Sequence, residues 1–154
     1  MRPYVTELVS LIAPHGVDTV CGPLNGGAFL AELIAVELGA QFAFAERIVS
    51  QRSGLFPVDY RVPAALRPVL RGKRVAVVDD AVSVGSAVRA TVADLEVCRA
   101  TPVVIGALLA IGPGGSEFAA ATSLPFERLS DLPIRSWLPS DCLLCASGTP
   151  LTDP

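Results

Sequence analysis

Two acids, Asp79 and Asp80, stand side by side after the apolar run Val75-Ala76-Val77-Val78, and Ser83-Val84-Gly85-Ser86-Ala87 follows them. In an open α/β sheet, ligands bind beyond the carboxyl ends of the strands, so this segment lies where a site is expected. The stretch 83–87 offers successive backbone N–H groups, two hydroxyls and the opening of a helix, which together make a cradle for a phosphate. The acids would repel a phosphate that touched them. They therefore need another partner: sugar hydroxyls, a metal ion or a developing cation. A ribose 5-phosphate meets both demands, with its hydroxyls on the acids and its phosphate in the loop. The other reading is a strand end with solvated acids and a serine at a helix N-cap.

A second glycine-rich run, Gly22-Pro23-Leu24-Asn25-Gly26-Gly27, links a short β-branched strand to a helix. Glycines let the backbone approach an anion closely, and inward N–H groups hold it without a lysine. Alone such a run means a turn; its place one βα unit before the acid pair gives it weight as a second anion loop. Cys142-Leu143-Leu144-Cys145 supplies half of the four ligands a structural zinc needs. Cys21 and Cys98, or the same pair from a second subunit, could complete the set. Packing of the tail and redox activity are the other two readings. His15, the sole histidine, lies between Pro14 and Gly16 and reads as a helix-end residue. Gly112-Pro113-Gly114-Gly115 lacks a following Gly-Lys-Ser/Thr and reads as a turn.

Apolar periodicity places the elements that must position these groups. It predicts helices over Val5–Ala13, Ala28–Leu38 and Ala64–Leu70, and a helical face at Val88, Val92, Leu95 and Cys98. Strands are predicted at Thr19–Cys21, Phe42–Ala45, Val75–Val78 and Val103–Leu109, with a polar turn over 79–85. Residues 47–63 lose the pattern and read as a long loop, and beyond Pro125 the Pro-broken pieces read as an appended subdomain rather than more sheet. Strands alternating with helices argue for an α/β fold, a parallel twisted sheet flanked by helices.

The chain has 154 residues, 51% hydrophobic and 18% charged, with a formal net charge of −3. That composition excludes disorder and offers no basic stripe for nucleic acid. The longest apolar run, Val103 to Ile111, is about half of what a membrane-spanning helix needs. Glu7 interrupts the one stretch that could pass for an export signal, so the expected location is the cytoplasm and the expected state of the four cysteines is free thiols. Lys73 is the only lysine.

The segment VAVVDDAVSVGSA, residues 75–87, resembles the phosphoribosyl pyrophosphate (PRPP) motif of type I phosphoribosyltransferases, most closely its orotate phosphoribosyltransferase version. The resemblance implies a single domain over 1–154, with a core at about 15–124 and a small hood from 1–14 and 125–154. It implies transfer of ribose 5-phosphate from PRPP to a nitrogenous base with release of pyrophosphate, assisted by Mg²⁺. Asp79 and Asp80 would hold the ribose hydroxyls and face a cationic sugar. Ser83, Val84, Gly85, Ser86 and Ala87 would take the 5-phosphate, and Leu24, Asn25, Gly26 and Gly27 the pyrophosphate. Residues 47–63 match the family's closing catalytic loop, with Arg52 and Arg47 as the chosen cations and Arg61 as a third. Trp137 would lie in the hood near the base, or else be a buried core tryptophan. A homodimer is implied, with PRPP and a nucleobase as partners and neither nucleic acid nor membrane.

Two features depart from the orotate enzymes. The loop has arginines where theirs has lysines and a histidine, and Ala110-Ile111-Gly112-Pro113 stands where they place an Asp-Arg pair. A carboxylated base would then need Arg128 or Arg135. The alternative function on the same fold is a non-catalytic PRPP- or nucleotide-sensing regulator. A receiver domain, suggested by VAVVDD, does not fit, because Lys73 precedes the acid pair instead of following it.

Overall fold

The computed structural model describes residues 2–49, 58–134, 137 and 140–150. Its centre is β4 (Arg74–Val82), whose side chains alternate between two covered faces. Val75 and Val77 point into one apolar cluster, and Ala76 and Val78 into another. Coverage on both sides explains why the sequence reads as an unbroken apolar run. The six-stranded sheet has the order β3-β2-β1-β4-β5-β6, with β1 (Thr19–Pro23), β2 (Gln41–Ile48), β5 (Thr101–Ile111) and β6 (Phe126–Leu132) parallel to β4 and β3 (Asp59–Arg61) antiparallel at the edge. Helices α1 (Arg2–Ile12) and α2 (Gly26–Leu38) cover the face of Ala76 and Val78. Helix α4 (Ser86–Val97), with Phe118 of α5 (Gly114–Thr122), covers the other. Short α3 (Arg67–Leu70) precedes β4. Among the described residues no helix is long and apolar enough to cross a membrane.

Five sequence expectations change. β4 does not stop at Val78: Asp79 pairs with Ala107 and Ala81 with Leu109, so the acids sit in the strand rather than in a turn. β2 continues through Ile48 and pairs with β3, placing Arg47 opposite Tyr60 and Arg61 opposite Glu46, so neither arginine lies on a free loop. The Gly112–Gly115 turn opens directly into α5, which the sequence reading lacks. The segment beyond Pro125 does not leave the sheet at once, because β6 pairs in parallel with β5 as far as Ile111 and Leu132. As a half-exposed edge strand, Phe-Glu-Arg-Leu-Ser-Asp-Leu needs little apolar pattern, which hid it. Residues 2–12 are core rather than cover: Val5, Leu8 and Ile12 are buried, and a Cβ at Gly106 would stand 2.7 Å from Ile12 Cδ1. His15 does stand at a helix end, as the last residue of the short 3-10 turn Ala13–His15, with Nε2 3.0 Å from Glu127 Oε1 of β6.

Asp94 of α4 fixes the return from β3. It accepts from the Val62 N–H at 2.7 Å and from Arg67 Nη2 at 2.6 Å. Asp94→Ala leaves the part-buried Arg67 and the Val62 amide without this partner. The expected loss is about 2 kcal/mol of unfolding free energy, read from urea titrations; a change below a few tenths would show that the network is dispensable.

Candidate functional site

β1 and β4 are hydrogen-bonded neighbours, Cys21 opposite Val77, so the loop after β1 emerges beside the acid pair. The contact is close enough to require glycine. A Cβ at Gly27 would stand 2.7 Å from Asp79 Oδ1 and 2.8 Å from the Val78 carbonyl, and one at Gly26 would run into the Asp80 carboxylate. The loop itself is held by Leu24 N–H donating to Ala45 O at 2.9 Å and by Tyr60 Oη donating to Leu24 O at 3.2 Å. The Leu24–Asn25 peptide is cis.

On the other side of the acids, Asp79 and residues 81–88 line a cavity of about 240 Å³ with Val58 and Tyr60. Gly85 at the N-cap of α4 has φ 75°, the left-handed region that favours glycine. Gly114 of α5 packs under the loop, where a Cβ would stand 2.7 Å from Ser83 O. Arg89 bridges the two helices: its Nη2 donates to Gly114 O at 3.2 Å and its guanidinium lies 4.6 Å above the Phe118 ring.

The two carboxylates differ. Asp79 is part-buried, and loss of water, with the Asp80 charge added, pushes its pKa up to about 7. Hydrogen bonds from the backbone of Asp80 and Gly27 oppose that rise. Asp80 is exposed beside Gly26. The native state thus holds a proton on Asp79 that the unfolded chain, with a carboxyl near 4, has already released. Stability contributed by this group is complete below about pH 4 and is lost as pH rises to about 7. Asp79→Asn is expected to be more stable than the parent at pH 8 by on the order of 2 kcal/mol, allowing for partial exposure, with the gap closing below pH 4. Urea titrations at both pH values test this; an equal gap at both would refute it.

Gly26 and Gly27 therefore meet Asp80 and Asp79, with Leu24 and Asn25 preceding them in the same loop, and Asp79 shares one cavity with Ser83, Val84, Gly85, Ser86 and Ala87. Arg47 is exposed on β2, close enough that both it and Asp79 act on the Tyr60 phenol, whose pKa burial raises first. Arg52 lies outside the described residues. Arg61 is paired across from Glu46 and does not line the cavity of Asp79. Arg128 is engaged locally, donating to Asp131 Oδ1 at 2.7 Å and to Phe126 O at 3.3 Å; Arg135 lies outside the described residues. Trp137 is 59% exposed, so the core reading does not hold. Cys142 and Cys145 lie on a turn with no buried residue, which removes tail packing, and among the described residues no group of three or more His, Cys, Asp or Glu could hold a metal ion.

Tyr60 is the site residue that the sequence reading missed. Its signal was present: Val58-Asp59-Tyr60-Arg61-Val62 alternates as a strand does, but Pro57 and Pro63 on either side argued for a loop.

A family model described as a phosphoribosyl transferase domain matches residues 6–123. The orotate phosphoribosyltransferase of Thermotoga maritima is 33% identical over 151 residues, 96% of this chain and 72% of the relative. That of Caldanaerobacter subterraneus is 28% identical over 154 residues, 98% of this chain and 73% of the relative. Among solved structures, adenine phosphoribosyltransferase from Thermoanaerobacter pseudethanolicus shares the fold with a TM-score of 0.71 at 16% identity, covering 85% of this chain and 79% of that one.

Proposed function

This chain belongs to the phosphoribosyltransferase family, and on that premise we propose that it transfers ribose 5-phosphate from PRPP to orotate with release of pyrophosphate. The observation that carries the reading is the convergence of two glycine loops on one acid pair, Gly26 on Asp80, Gly27 on Asp79, and residues 83–87 on the cavity of Asp79. Orotate is the base in the names of the sequence relatives that span nearly the whole chain.

In this reading Ser83 to Ala87 bind the 5-phosphate through backbone N–H groups and the Ser83 and Ser86 hydroxyls. Leu24 to Gly27 bind the pyrophosphate, whose negative charge their N–H groups meet without a lysine. Asp79 and Asp80 hold the ribose hydroxyls and present charge to a sugar that becomes cationic as pyrophosphate departs, preorganised electrostatics of the kind that dominates many enzymes. PRPP bound with Mg²⁺ favours ionised Asp79, so kcat/KM is expected to rise with pH through about 7. Arg47 and Arg52 neutralise the leaving group. Mg²⁺ suits the donor set: the site offers carboxylate oxygens but no built metal cluster among the described residues, and this ion keeps waters and takes its other ligands from substrate oxygens. When bound it would add positive charge at the pyrophosphate, with Asp79 or Asp80 as the protein oxygens nearest to it.

Tyr60 positions the pyrophosphate loop through Leu24 O. Tyr60→Phe loses that one bond, worth about 1 kcal/mol, so KM for PRPP should rise roughly five-fold with kcat little changed. An unchanged KM would remove Tyr60 from the account.

The chain is taken to work in the cytoplasm and as a homodimer, for which the exposed Phe29, Leu33 and Val36 of α2 offer an apolar face. A second reading, a PRPP-sensing regulator, is favoured by one observation: Arg128 is already held by Asp131, and residues 110–113 carry no charge for a carboxylated base. Product analysis tests the base. Orotidine 5′-monophosphate should form from PRPP and orotate, with adenine inert; formation of adenosine 5′-monophosphate instead would overturn the choice.

A further inference from the structure

The tail beyond β6 carries a thiol pair that the transfer reaction does not use. α6 (Leu143–Ala146) is one turn with no buried residue, and Leu143 and Leu144 are 85% and 65% exposed. Ala146 N–H donates to Cys142 O at 2.9 Å, which closes a helical turn starting at Cys142. Residues three apart on such a turn face the same way, with Cβ atoms about 5–6 Å apart. Both are free thiols on this turn, Cys142 part-buried and Cys145 exposed. A slight tightening of the turn reaches the roughly 3.5–4.5 Å Cβ separation of a disulfide. A closed metal site would need four ligands, and among the described residues nothing supplies a third.

We propose that Cys142 and Cys145 are a reversible dithiol–disulfide pair, oxidised by small-molecule disulfides. Cys142 thiolate attacks one sulfur of the oxidant RSSR, forming a mixed disulfide and expelling RS⁻. Cys145, its proton released to water, then attacks Cys142 Sγ, closes the intrachain S–S bond and expels the second RS⁻. Two electrons pass from the dithiol to RSSR, and both RS⁻ groups take up protons to leave two RSH. Cys142 is the attacking thiol because its neighbours Cys145 and Leu144 hold its pKa below the usual thiol range, whereas Cys142 holds that of Cys145 above it. The chemistry stays in the tail, since Cys21 and Cys98 are buried and burial pushes the Cys21 thiol up to about 12.

The test incubates the full chain with oxidised glutathione, alkylates it in denaturant and maps the peptides by mass spectrometry. Wild type should lose both thiols of the peptide holding Cys142 and Cys145 together, without an interchain bridge, and dithiothreitol should restore them. Cys145→Ser should stop at a glutathione adduct on Cys142, and Cys142→Ser should react several-fold more slowly. The proposal is overturned by a wild-type adduct that never closes, by a bridge between two chains, by equal reactivity of Cys142→Ser, or by a protein isolated with zinc that shields both thiols.

Discussion

Asp79→Asn combined with Asp80→Asn is expected to lower kcat/KM for pyrophosphate release about 10³-fold or more, the scale seen when preorganised charge at a reacting centre is removed. Both carboxylates sit where β4 passes the two glycine loops, and among the described residues no other acid lines the cavity of Asp79. Asparagine keeps the shape and can still hydrogen-bond a ribose hydroxyl, so what it removes is the charge facing the sugar. The loss cannot be assigned to unfolding, because burial penalises the charged form of Asp79 and its amide should make the chain more stable at neutral pH. Circular dichroism and urea titration of the double variant supply that control. A folded double variant within ten-fold of the parent would sink the assignment of both acids.

The second large effect comes from one methyl group. Gly27→Ala places a Cβ 2.8 Å from the Val78 carbonyl, 2.7 Å from Pro23 Cδ and 2.7 Å from Asp79 Oδ1. Val78 is wholly buried in the central strand, so its carbonyl cannot yield, and the loop must move instead. Overpacking of this kind costs about 1–3 kcal/mol of stability, and here it also displaces the proposed pyrophosphate loop from the acids. The expected result is a fall in kcat/KM of about 100-fold, expressed mainly in KM for PRPP, since misplacing a binding group by about 1 Å has effects of that size. Gly26→Ala differs in kind. Its Cβ meets the Asp80 carboxylate, the end of an exposed side chain that can swing aside. Gly26→Ala should therefore keep the stability of the parent while behaving kinetically like Asp80→Asn. Equal destabilisation by the two alanines would show that the loop does not pack as described.

The chemistry was legible in the sequence where it is contiguous. A strand, two acids, a hydroxyl-rich loop and a helix opening occupy residues 75–87, and each has a local signal in apolar pattern, glycine or side-chain type. What was hidden depends on pairing between distant residues. The strand order that sets β1 beside β4 brings Gly26 and Gly27 onto Asp80 and Asp79, some fifty positions away, and no local pattern reports such a neighbour. The same holds for Arg47, which looked like loop charge until β3 paired with its strand. β6 escaped because an edge strand exposes one side and tolerates Glu127, Arg128 and Asp131. α5 was masked by Gly112 and Pro113 before it and by Gly114 and Gly115 in its first turn. The base end is the least written in the sequence: where a charged pair would mark it, residues 110–113 are uncharged, and Arg128 turns to Asp131.

In the proposed reaction the site breaks the bond between ribose and pyrophosphate rather than only binding PRPP. Its most direct test follows pyrophosphate release from Mg-PRPP with each of a panel of bases, orotate first, alongside calorimetric binding of PRPP. A transferase releases one pyrophosphate per mononucleotide formed, and only when a base is present. Tight PRPP binding with no release on any base would contradict it and leave the sensing role.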